Sequence, residues 1–182
     1  MPLLSCIICI AFILMSLLLP PALAVYDIKD NAITHAQKGQ QHLILGTPEN
    51  AIEEFKLALR LNGHDSFGAS LYNNLGVAYQ KTKRYTMAIA SFQRACRIRP
   101  GTALYYKNLI DSYQLAGVLD IAEARLIQNT ALNSNQPEVW YLLGLISQAN
   151  GNNQNARNHF LECISLQADG PLADAAKQHL KH

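Results

Sequence analysis

The side chains best suited to chemistry stand together at His64-Asp65-Ser66, a base, an acid and a nucleophile of acyl transfer in consecutive positions. A working triad needs those groups delivered from separate parts of a fold, with the base oriented and an oxyanion hole beside it. Three neighbours in a loop bounded by Gly63 and Gly68 cannot converge on one atom. The G-x-S-x-G elbow is also missing, because His64 stands where its first glycine belongs. The loop is therefore read as a turn. His35 and His42 lie seven apart on one helical face, but no third ligand of suitable type is near, so they read as a solvated end face. There is no His-Glu-x-x-His and no glycine-rich loop ahead of a helix for phosphate, and the one Cys-x-x-Cys, Cys6 to Cys9, lies inside the apolar first segment. The expectation is a chain that is not an enzyme and needs neither cofactor nor metal.

The elements that carry these residues are helical. From Ala69 to Thr102 two apolar-periodic segments flank the polar break Lys81-Thr82-Lys83-Arg84. Tyr72, Leu75, Gly76 and Tyr79 fall on one stripe of a 3.6-residue helix, Ala88, Phe92 and Ala95 on another, and Pro100 stops the second. Gly76 and Ala88 remove bulk where two helices would meet, and the aromatics fill the space around them. This stretch predicts a tight antiparallel helix pair.

Aromatic, Leu-Gly, Tyr, then Ala, Phe, Ala and Pro at these offsets resemble the tetratricopeptide repeat of 34 residues, and all eight signature positions match. The pattern recurs one repeat on at Tyr106, Leu109, Tyr113, Gly117, Ala122 and Leu126, and again at Trp140, Leu143, Gly144, Gly151, Ala156 and Phe160. A weaker copy precedes it, with Gly39, Gly46, Ala51, Phe55 and Ala58. The resemblance implies an all-α, right-handed α-solenoid of about four helix-turn-helix repeats, near 32–65, 69–102, 103–136 and 137–170. A capping helix follows over 171–182, with Leu172, Ala175, Ala176 and Leu180 on its apolar stripe. Repeat three departs from the pattern twice: Ile110 stands where a small residue belongs, and Asn129 where Ala belongs.

Residues 1–24 are different material. Nothing from Met1 to Tyr26 is charged, Leu3 to Leu19 is almost wholly apolar before Pro20-Pro21, and Ala22-Leu23-Ala24 supplies a small-x-small pattern. This reads as a signal peptide, with a polar lead-in over 25–31 and export to a periplasmic or extracellular space. The alternative is an uncleaved membrane anchor formed by residues 3–19. Membrane contact is expected only in that second case. Cys6 and Cys9 leave with the segment, and Cys96 and Cys163, a repeat apart along the stack, read as buried thiols rather than a disulfide. The formal charge of +2 is even, and no basic cluster marks a nucleic-acid surface.

The resemblance further implies a protein or peptide partner, held on the concave face made by the first helices. Residues about 120° from the core stripe, at about 100° per residue, are Asn73, Val77 and Gln80, then Lys107, Asp111 and Gln114, then Tyr141, Leu145 and Gln148. Gln80, Gln114 and Gln148 recur at one offset, and a row of amides could pair with the main chain of an extended partner. Arrays that clamp a C-terminal carboxylate use Lys, Asn and Arg at set offsets. Here those offsets hold Ala36, Gln40, Asn74, Leu104 and Asn108, which lack the cations. The functional expectation is a non-catalytic scaffold, an adaptor or assembly factor of a bacterial envelope. The alternative is a membrane-anchored structural protein that self-associates.

Overall fold

A computed structural model describes residues 21–63, 65–130 and 135–181, with side chains described from Asp30 onward except those of 129 and 130. Nine helices run through the described residues: α1 (Pro21–Ile44), α2 (Pro48–Leu61), α3 (Ser66–Lys81), α4 (Tyr85–Ile98), α5 (Ala103–Ala116), α6 (Leu119–Thr130), α7 (Pro137–Ala149), α8 (Asn153–Leu166) and α9 (Pro171–His179). Each packs against the next, so the chain forms an all-α solenoid of antiparallel hairpins. Residues 25–31, expected as a lead-in, lie within α1. The apolar stretch 3–19 and His64 lie outside the described residues, as does the side chain of Asn129. No helix among the described residues is long and apolar enough to cross a membrane.

One contact builds three of the four hairpins. A Cβ placed on Gly39 would stand 2.6 Å from Phe55 Cε1, on Gly76 2.6 Å from Phe92 Cε1, and on Gly144 2.5 Å from Phe160 Cε1. In each, a ring from the second helix lies close against bare backbone of the first, sixteen residues earlier, and each ring is wholly or almost wholly buried. Hydrocarbon burial of this size stabilises by about 1.5–3 kcal/mol per ring. The third hairpin has Ile110 and Leu126 at the same positions. Ile110 is buried, and no ring from α6 meets bare backbone at this position. Here α5 and α6 touch far more sparingly than the helices of the other hairpins, and α6 is also loose against α7. Ala122 is the one buried residue among the described side chains of α6.

The turns inside the hairpins repeat as well. Gly46, Lys83, Gly117 and Gly151 occupy equivalent places, and all four have positive φ, of 73°, 59°, 67° and 74°. Lys83 alone adopts this left-handed conformation with a side chain, at some cost in strain. At the start of α3, Asp65 serves as N-cap and accepts hydrogen bonds from the Phe67 and Gly68 amides at 2.9 and 3.2 Å. Its carboxylate therefore satisfies helix-end amides, which is the structural use of the residue in the His-Asp-Ser triplet.

Candidate functional site

The first helices α5 and α7, with α9 beside them, enclose a groove of about 460 Å³. Its floor is Ile110, Tyr141 and Leu145, and its rim carries Lys107, Asp111, Gln114, Gln148, Gln178 and His179. Six of the nine residues expected on a concave surface line this single cavity: Lys107, Asp111, Gln114, Tyr141, Leu145 and Gln148. They are not equally available. Lys107, Asp111, Gln114 and Gln148 are exposed, whereas Tyr141 is 2% and Leu145 9% exposed. The Tyr141 ring is wedged between Tyr106 at 5.7 Å and Phe160 at 5.8 Å, and burial pushes its hydroxyl up to about 12. It is a neutral floor residue at any ordinary pH.

The three residues from repeat two are placed otherwise. Asn73 is buried and its Oδ1 accepts from Asn108 Nδ2 at 2.8 Å. Gln80 donates from Nε2 to Ser112 Oγ at 2.8 Å and to the Asn108 carbonyl at 3.4 Å. These amides stitch α3 to α5 across the repeat boundary, and Gln80 also lines a shallow opening with Asp111 and Gln114. The expected row of three glutamines thus divides: Gln80 is a strut, while Gln114 and Gln148 stay on the exposed rim. Val77 is half-buried between them and the core.

The groove wall contributed by α9 was missed in the sequence. Ala175, Gln178 and His179 face the cavity, and the His179 ring stacks on Phe160 at 4.7 Å with planes 13° apart. A Cβ on Gly101, just before α5, would lie 3.5 Å from Pro171, so α9 leans over both α7 and the start of α5. It narrows the trough without filling it. A signal was present: Pro171 stands one repeat length after Pro137, each opening a helix, which sets α9 in register with the first helices of the repeats.

The two histidines of α1 are separately employed. His35 Nδ1 meets Glu54 Oε2 at 2.6 Å, and His42 Nδ1 meets Thr47 Oγ1 at 3.0 Å. No group of three or more His, Cys, Asp or Glu among the described residues is arranged to hold a metal ion.

Family models of the tetratricopeptide repeat match residues 69–101 and 137–169. The chain is a tetratricopeptide repeat protein. A chloroplast tetratricopeptide repeat domain-containing protein of Arabidopsis thaliana, PYG7, is 34% identical over 61 residues, which is 34% of this chain and 20% of that protein's length. The tetratricopeptide array also resembles solved structures. MamA aligns with 76% of this chain and 79% of its own at 23% identity and a TM-score of 0.50. MamA of Desulfovibrio magneticus RS-1 aligns over 84% and 92% at 17% identity, also with a TM-score of 0.50. The second tetratricopeptide domain of human RPAP3, solved with an HSP70 peptide, covers 66% of this chain and 98% of its own, at 20% identity and 0.50. At these identities the likeness establishes the fold.

Proposed function

We propose that this tetratricopeptide array is a non-catalytic scaffold that grips a segment of a partner polypeptide in the groove between α5, α7 and α9. The observation that carries this is the composition of that groove: an apolar floor of Ile110, Tyr141 and Leu145 beneath exposed amides and opposite charges. Amides at Gln114, Gln148 and Gln178 offer both donor and acceptor to a main chain, while Lys107 and Asp111 select polarity along it. That human RPAP3 takes an HSP70 peptide on the same fold supports the reading. The apolar first segment and Ala22-Leu23-Ala24 support export, and with it a role as adaptor or assembly factor in a bacterial envelope.

A photo-crosslinking residue at Gln114, compared with one at Arg60 on α2, tests the groove in the native cell. The expected result is a polypeptide adduct from position 114 that is lost with Lys107→Glu. Adducts from 60 and 114 in equal amount, or none from 114, would remove the assignment. The mass of the mature N-terminus tests export: a soluble envelope protein beginning at Val25 supports it, and an intact chain in the membrane pellet supports anchoring instead.

A further inference from the structure

A second cleft lies where the third hairpin stands open, away from the groove. It measures about 560 Å³ and is lined by Thr86, Ile89, Ala90 and Gln93 of α4 and, opposite them, by Ile121, Ala122, Arg125 and Leu126 of α6. It opens where α6 packs sparsely against α5, in the one hairpin without the glycine–phenylalanine contact of Gly39, Gly76 and Gly144. We propose that this cleft is a second docking site, taking an acidic amphipathic helix of a partner protein.

The helical form of the guest follows from the lining. The cleft wall is mostly hydrocarbon, and its amide Gln93 already donates to the Tyr113 hydroxyl at 2.9 Å. An extended guest would bring unpaired main-chain amides and carbonyls against methyl groups, at a penalty for each. A helix satisfies its own main chain and offers a stripe at i, i+3, i+4 and i+7. From Thr86 to Gln93 the wall is about 10 Å long, room for two turns of such a stripe. The walls also remain open to solvent: Ile121 is 55% exposed, and Ala90 is exposed too. An acyl chain lying there would keep much of its surface wet, whereas an amphipathic helix needs cover on one face alone.

The acidic character follows from charge placement. The even overall balance conceals an uneven distribution. From Ser66 to Ile110 the chain has Lys81, Lys83, Arg84, Arg94, Arg97, Arg99 and Lys107, and no acidic residue. Arg125 lines the cleft from α6, whereas Arg97, four residues beyond Gln93 on α4, lines a separate opening with Glu138. The acids of α6, Asp120 and Glu123, are absent from the cleft lining, and Glu123 accepts from Asn150 of the next repeat at 3.1 Å. With Arg125 the one charged side chain in the lining, the cleft favours a guest with carboxylates flanking its apolar stripe.

The test uses the full chain and a labelled peptide of leucine, alanine and glutamate (~18 residues, about five helical turns), read by fluorescence anisotropy. Saturable binding is expected, weakened about tenfold or more by Arg125→Glu, by Ala90→Trp, which fills the cleft, and by replacing the peptide's glutamates with lysine. Lys107→Glu in the groove leaves it unchanged, which separates this site from the other. Circular dichroism of each variant confirms that it is folded. Absence of binding, indifference to Arg125→Glu and Ala90→Trp, or loss with Lys107→Glu would each overturn the proposal. So would vesicles of phosphatidylglycerol binding in an Arg125-dependent manner while the peptide does not, which would make the cleft a lipid site.

Discussion

Phe92 lies so close to Gly76 that a single methyl added to the glycine would come within 2.6 Å of the ring's Cε1. The same approach recurs at Gly39–Phe55 and Gly144–Phe160, and where it fails, at Ile110–Leu126, the hairpin opens. Among the described residues, the closely packed hairpins are the three that carry this glycine–phenylalanine pair.

Enlarging that glycine should be costly. Gly76→Leu overpacks a buried contact and is expected to destabilise by about 1–3 kcal/mol or more, measured by urea unfolding. Adding Phe92→Leu should recover part of the loss, since it withdraws the ring that the new side chain strikes. Equal stability of Gly76→Leu and the parent would mean that the ring has room to move.

Lys83 is the converse case. It holds φ at 59° where the other three hairpins have glycine. Lys83→Gly should leave stability unchanged or raise it by up to about 1 kcal/mol, in contrast to the usual penalty for introducing glycine. A thermal melt distinguishes the outcomes.

The stitch between repeats two and three depends on complementary amides. Removing the donor with Asn108→Ala leaves the Oδ1 of buried Asn73 without its partner, although its Nδ2 keeps Asn74, and should cost about 1–3 kcal/mol. The double variant Asn73→Ala, Asn108→Ala should cost less than the two single losses combined, because no buried amide is then left unpaired. Additive losses would show that the pair does not act as a unit.

Groove residues separate into rim and floor. Lys107→Glu should abolish partner capture with little change in melting temperature, since Lys107 is exposed. Tyr141→Ala should instead lower stability by about 3–5 kcal/mol, because its ring is packed between Tyr106 and Phe160. Comparing the two variants in melting and crosslinking experiments checks both halves of this statement.

Burial raises the Cys96 thiol to about 12 and the Cys163 thiol to about 11. Both are free and buried, so the folded chain should resist alkylation at pH 8 and react only when unfolded. The sign for stability follows from protons bound. Above about pH 8.5 the unfolded thiols ionise while the folded ones stay protonated, so stability is full below that pH and declines towards pH 11–12. The double variant Cys96→Ala, Cys163→Ala should show a shallower alkaline decline of melting temperature.

Helices, hairpins and repeat spacing were all legible in the linear chain, because a 3.6-residue apolar stripe with alternating bulk leaves its mark at fixed intervals. Gly76, Ala88 and Phe92 announce their contact by type and offset alone. The groove was legible in part: six expected residues converge there, since one offset on successive first helices faces one side of any stack. Sequence offset says nothing of whether an amide meets a ligand or a neighbouring helix, and Gln80 and Gln148 share an offset with different fates. That division depends on Ser112 and Asn108 lying opposite Gln80, a relation between residues about thirty apart. The lean of α9 over α5, and the cleft left beside α6, were likewise decided by packing. Whether a branched side chain at 110 is absorbed or pries a hairpin apart depends on what surrounds it in three dimensions.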